Sequence, residues 1–231
     1  MLERRFDELK MVEMNELGIK KKRTLRLFIN ATAEIIEKEG IDGVTIRKVA
    51  KITGYNGATI YNYFDNSNQL ISFGSMKFIN DYVQALPEYV NQADNVLERF
   101  LLVWECFCKY CFKKPKIYYA IFTADIGDQP ENLIHNYYSL FPEKLGDPPE
   151  DLIPMIMESD FSKRCEILIE PCIKEGHFRE EQAQEINELI RLIYQGMLSL
   201  LINNRINYSA KEAAQQTINH IKSTVIGRAN L

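Results

Sequence analysis

Apolar positions along this chain recur at steps of three and four rather than two. Phe28, Ile29, Thr32, Ile35 and Ile36 form the stripe of a helix lying on a core, and Gly40 and Gly43 predict a tight connection after it. Thr45 is an N-cap for a short helix with Ile46, Val49 and Ala50 on one side, broken at Gly54. Asn56 caps a third short helix through Thr59, Ile60, Tyr61 and Tyr63. Asn66 caps a fourth, with Gln69 in the reciprocal position. Residues 67–86 read as one long helix that Pro87 ends or kinks. Val96–Phe112 reads as another, and 117–140 as two shorter ones interrupted around Gly127-Asp128-Gln129-Pro130. Phe141–Pro154, with four prolines and Gly146, is the most loop-like stretch. Helix resumes near Asp160, with Pro171 bending it. Two last helices span 182–204 and 209–227, the second opened by a Ser209–Glu212 capping box. No strand alternation of useful length and no internal repeat interrupts the pattern. The chain reads as all-α.

Residues 45–64 carry the most information. Two short helices joined by a glycine-containing turn make a helix-turn-helix, with Val49, Ile60 and Phe64 as its miniature core and Ala50 small enough for a close crossing. The second helix is then free to present Asn56, Thr59, Tyr61, Asn62 and Tyr63 to a DNA groove. Charge sharpens this reading. The whole chain carries a net charge of −4, yet residues 20–65 hold nine basic and five acidic side chains, so a basic segment precedes an acidic body. A solvated lysine-rich helix face would give the same count.

The pattern resembles the tetracycline-repressor-like (TetR/AcrR) family of transcriptional regulators. The likeness runs over residues 24–71. It is carried by Phe28-Ile29-Asn30-Ala31, Ile35-Ile36, Gly40, Thr45, Val49-Ala50, Gly54, Thr59-Ile60-Tyr61-Asn62-Tyr63-Phe64 and Leu70. Beyond them only the length, the helix count and the Gly176-His177-Phe178-Arg179 lead-in to the last helix pair are similar. The resemblance implies a homodimer gripping palindromic operator DNA. It also implies an N-terminal three-helix DNA-binding domain (20–66, after an extension at 1–19) and a larger helical domain (67–231) for effector binding and dimerisation. Thr45 and Tyr61 stand at phosphate-contact positions with Asn62 and Tyr63 beside them, and hydroxyls and helix N-termini are ordinary phosphate donors. Asn56 and Thr59 are candidates for base edges, with Arg47 and Lys48 adding groove or backbone contacts. Tyr63 has a core aromatic as its alternative reading, and Thr45 a plain cap, which does not exclude a phosphate contact as well. Two positions depart from the family. Ser67 stands where a lysine is usual, and Gly57 opens the recognition helix without a side chain to read with. Lys20–Arg23 and Arg26 compensate from an arm in this reading.

In the body, Ile186, Ile190, Ile193, Met197 and Leu200 make a heptad-like seam, and Ala214, Ile218, Ile221 and Val225 repeat it. Two such helices from each of two chains would form a four-helix bundle at a dimer interface; the alternative is packing within one monomer. The middle helices are rich in aromatics. Trp104, Phe107, Cys108, Cys111, Tyr118, Phe122 and Tyr138 are candidates for lining an apolar effector pocket, with His135 and the tyrosine hydroxyls as polar groups; a plain aromatic core is the competing reading. Cys106, Cys108 and Cys111 cannot converge on one ion from a single helix, so these cysteines, with Cys165 and Cys172, read as buried free thiols. Three scattered histidines and no nucleophile–base pair, Walker loop or dinucleotide fingerprint argue against an enzyme, a metal or a cofactor.

With acidic residues near the start and no run of about 18 apolar residues, the expected location is the cytoplasm and no membrane partner is expected. The expected function is a regulator, most naturally a repressor released by a small apolar or aromatic effector. Its two recognition helices would sit about 34–36 Å apart. The rivals are an effector-independent architectural DNA-binding dimer and a helical enzyme.

Overall fold

The computed structural model describes residues 18–125 and 132–229, and among them every regular element is helical. They divide into two compact units. One comprises residues up to Phe78 together with Ala120–Gly146, and the other comprises Ile79–Tyr119 together with the residues from Asp147 on.

In the first unit, α1 (Ile19–Glu39) lays Leu25, Phe28, Ile29, Ile35 and Ile36 on the core and ends at Gly40. A short 3-10 turn at Ile41–Gly43 leads to α2 (Ile46–Thr53) and α3 (Gly57–Tyr61). The caps form as their sequence implies. Thr45 accepts from the Lys48 N–H, and Asn56 from the Thr59 N–H. Gly54, at φ +73°, provides the left-handed residue that ends α2. Asn66 caps α4 (Ser67–Ser75), but Gln69 reaches back to the Asp65 N–H rather than to Asn66. α4 crosses α1 closely enough that a Cβ on Gly74 would stand 2.5 Å from Thr32 Cγ2, so only glycine fits. From mid-chain, α8 (Leu133–Leu140) packs on α4. Ser72 donates to the Ala120 carbonyl at 2.6 Å, while Arg26 on α1 lies 4.8 Å over the Phe141 ring and pairs with Glu143 at 3.3 Å.

The expected single helix over 67–86 is broken. After α4 the chain tightens into a 3-10 stretch at Met76–Ile79 and resumes as α5 (Asn80–Val90). Pro87 neither starts nor ends a helix; it sits inside α5, which closes one turn later. α6 (Val96–Cys111) follows from an Asn95 cap, and α7 (Pro115–Phe122) begins on a proline, where no N–H is required. The expected interruption at Gly127–Pro130 lies outside the described residues.

The proline-rich stretch is less loop-like than expected. It holds 3-10 turns at Pro142–Lys144 and Glu150–Leu152 and a one-turn helix, α9 (Ile153–Met157), with Pro154 in its first turn, where no N–H is required. In the second unit α10 (Phe161–Lys174), α11 (Glu180–Ile202) and α12 (Ala210–Ile226) complete the set, and α12 opens with the Ser209–Glu212 capping box. α12 packs on both α6 and α11, and α10 on α6 and α11. No helix among the described residues is long and apolar enough to cross a membrane.

Candidate nucleic-acid interface and effector cavity

The helix-turn-helix is anchored from behind. Val49 and Ile60 are fully buried and Phe64 nearly so, and Phe28 meets Tyr55, Tyr63 and Phe64 edge-on at 5.2, 5.5 and 6.4 Å. This fixes which side of α3 faces out. Tyr61 is 55% exposed, and Thr45, Arg47, Asn56 and Asn62 are exposed with it. Tyr63 is half-buried against Phe28, so its ring belongs partly to the core. Asn56 and Thr59 meet each other. Asn56 Oδ1 accepts from both the backbone N–H and the hydroxyl of Thr59, at 2.8 and 3.0 Å. The Asn56 oxygen is therefore committed to the cap, and its amide NH2 remains the group with which it could read a base. Lys48 turns back to Glu39 and the Gly43 carbonyl, which makes it a clasp between α2 and the preceding turn. A Cβ on Gly57 would stand 3.2 Å from Ile46 Cγ2, so this departure from the family serves the tight α2–α3 crossing.

The basic residues expected on an arm lie in a helix. Lys20, Lys21 and Lys22 occupy the first turn of α1 and Arg23 follows them; that turn has no acidic residue and no side-chain cap. Cations at a helix N-terminus oppose the helix dipole by about 0.3–1 kcal/mol each, and an arriving phosphate relieves this. Arg26, one turn on, is held by Phe141 and Glu143 instead.

Residues 28–72 match the model of the bacterial regulatory proteins of the tetR family. The head belongs to the tetR family. Solved structures share the fold over most of the chain. A protein of unknown function from Rhodococcus sp. RHA1 is 13% identical over 89% of this chain and 95% of its own, with a TM-score of 0.54. A Shewanella sp. PV-4 protein classed as a tetR family transcription regulator is 11% identical over 91% and 99%, with a TM-score of 0.50. At these identities the likeness is one of fold. No curated protein matches the chain. Residues 28–72 thus carry a helix-turn-helix of the kind found in bacterial regulatory proteins of the tetR family.

The candidate pocket residues divide between the two units. In the second, Trp104, Phe107 and Tyr118 join an aromatic cluster that sequence reasoning did not assemble. Phe161 stacks on Tyr194 at 4.9 Å, Phe107 meets Tyr194 at 5.2 Å and Tyr118 at 5.5 Å, and Trp104 meets Phe107 at 5.8 Å. Cys111 donates its thiol to the Tyr194 hydroxyl at 3.5 Å, and Cys108 is fully buried. The cluster borders a hollow of about 20 Å³, lined by Trp104 and Phe107 among others and large enough for about one water. Phe122 and Tyr138 belong to the first unit, and His135 is exposed. All five cysteines are free and buried, and burial pushes the thiols of Cys106, Cys165 and Cys172 up to about 12.

The dimer seam splits as well. Ile186, Ile190, Ile221 and Val225 are wholly buried in the chain's own packing, and Ile218 is 3% exposed. Ile193 and Met197 are half-buried and Leu200 is 42% exposed; with Leu192, 60% exposed, they form a second apolar stripe along α11. The signal for that second stripe was present in the sequence, since Met197–Ile202 is apolar nearly all round.

Proposed function

We propose that this protein is a ligand-responsive repressor that binds a palindromic operator as a homodimer. The carrying observation is the buried backing of α3 by Val49, Ile60 and Phe64, which leaves Thr45, Arg47, Tyr61 and Asn62 facing outward beside a basic helix start. In this reading residues 20–66 bind DNA and 67–231 bind effector and dimerise, with 1–19 as an extension. Thr45, Tyr61, Asn62 and Tyr63 meet phosphates, Asn56 and Thr59 approach base edges, and Arg47 and Lys48 support them. The outer stripe of α11 is where a second copy would bury apolar surface, joining two helices from each chain in a bundle. A twofold operator calls for such a dimer. Effector binding in the second unit would reach the head along the chain through the 3-10 stretch at Met76–Ile79, with a coupling of about 1–3 kcal/mol.

Selecting bound duplexes from a random pool and measuring their release by compounds from a thermal-shift screen tests this. A compound that raises the melting temperature and lowers operator affinity at least about fivefold supports it.

The nearly solid aromatic cluster favours a second reading, an architectural DNA-binding dimer with no effector. Operator affinity indifferent to every compound that binds the protein would support that reading instead.

A further inference from the structure

We infer that the groove between α6 and the start of α12 binds a small organic molecule carrying a phosphate group. The groove lies within the second unit and holds about 350 Å³; Tyr89, Glu105, Lys109, Lys113 and Lys211 stand along it. It shares no residue with the aromatic cluster, so this is a site apart from the effector reading and goes beyond it. Outside residues 20–65 the chain holds more acidic than basic side chains, yet three of the four charged groups lining the groove are lysines. The one carboxylate, that of Glu105, is already paired with Lys222 at 3.1 Å. The three lysines are exposed and have no carboxylate partner among the described residues. Lys109 donates to the Tyr89 hydroxyl at 2.6 Å, which sets an ammonium and a phenol side by side on the wall. Because the Tyr89 oxygen accepts there, its own proton is left to donate to a ligand.

Lys113 lies just beyond the end of α6, 5.1 Å over the Tyr110 ring. Lys211 stands in the first turn of α12, where a cation opposes the helix dipole and an arriving anion relieves the conflict. The groove thus gathers positive charge and hydrogen-bond donors, with no unpaired carboxylate among its lining residues. A phosphate monoester answers the three ammonium groups with three acceptor oxygens and about two negative charges. A carboxylate brings only two oxygens and a single charge. Ala214 and Ile218 add an apolar bed for an organic substituent, and the volume exceeds what an inorganic ion fills.

Phenyl phosphate, inorganic phosphate, benzoate and phenol are titrated calorimetrically into the full-length protein at low ionic strength. Phenyl phosphate is expected to bind at least about tenfold tighter than benzoate, the difference one further charge-assisted hydrogen bond makes. Inorganic phosphate is expected to bind several-fold more weakly than the ester, and phenol not at all. Lys109→Gln with Lys211→Gln is expected to weaken phenyl phosphate at least about tenfold while circular dichroism still reports a folded helical protein. Lys174→Gln, which removes an exposed lysine on α10, is expected to change nothing. Phenyl phosphate failing to bind, binding no better than benzoate or inorganic phosphate, or binding the double variant as tightly as the parent overturns the inference. So does a duplex of arbitrary sequence that loses affinity in the double variant while phenyl phosphate binds neither protein, since the groove would then be a nucleic-acid surface. None of these outcomes bears on operator release, which is read from operator affinity alone.

Discussion

Tyr61 and Tyr63 stand two residues apart and have different surroundings. Tyr61 projects into solvent, whereas Tyr63 lies edge-on to Phe28. Tyr61→Ala should therefore change stability by no more than about 0.5 kcal/mol, while Tyr63→Ala should cost about 1–3 kcal/mol. Urea denaturation of the two variants checks both values; equal losses would mean the outward side of α3 is misassigned. The caps were legible at this scale because Thr45, Asn56 and Ser209 act on residues only three positions away. Arg164 and Gly74 were not, since a charge buried in the second unit and a glycine wedged against Thr32 are properties of neighbours distant in sequence. The thiols give a pH prediction. Their folded-state values are raised, so the folded protein retains protons that the unfolded chain gives up above the ordinary thiol value of about 8.5. Stability should be unaffected by the thiols below that pH and fall from there towards pH 12. Denaturation midpoints at pH 7, 9 and 10 read this out, and a midpoint that rises between 9 and 10 would contradict it.

At the scale of elements, helical periodicity located each helix of the head, but proline was a poor guide further along. Pro87 and Pro171 both lie inside helices, and Pro154 helps to start one, because a proline disrupts only the bond to the residue four before it. The actual interruption, at Met76–Ile79, contains no proline or glycine and left no local mark. Gly74 controls the α1–α4 crossing. Gly74→Ala puts a methyl group into Thr32 and should destabilise the protein by about 1–3 kcal/mol, and Thr32→Ser in the same chain should recover part of the loss. Thermal melts of the single and double variants measure this. A Gly74→Ala protein as stable as the parent would show that the helices separate freely there.

At the scale of the whole molecule, the sequence revealed an all-α chain with a DNA-reading head, and the heptad seam pointed to α11 and α12. What it could not show is which side of α11 each residue occupies, because both sides are apolar. The inward side holds Ile186 and Ile190, and the outward side Leu192 and Leu200. Leu192→Glu with Leu200→Glu should yield a folded monomer in sedimentation, since exposed positions tolerate charge and an apolar interface does not. A dimer unchanged by both would place the interface elsewhere. Nor did periodicity show that residues 120–146 belong to the same compact unit as the head, since that grouping depends on pairs such as Ser72 with Ala120 and Arg26 with Glu143.

The central claim is that the outward flank of α3 and the cap of α2 grip a duplex. Fluorescence anisotropy of a selected duplex against the parent and the Thr45→Val, Tyr61→Phe variant tests it most directly. The account predicts that removing the two hydroxyls weakens binding at least about tenfold while circular dichroism still reports a folded helical protein. Undiminished affinity in that variant would contradict it.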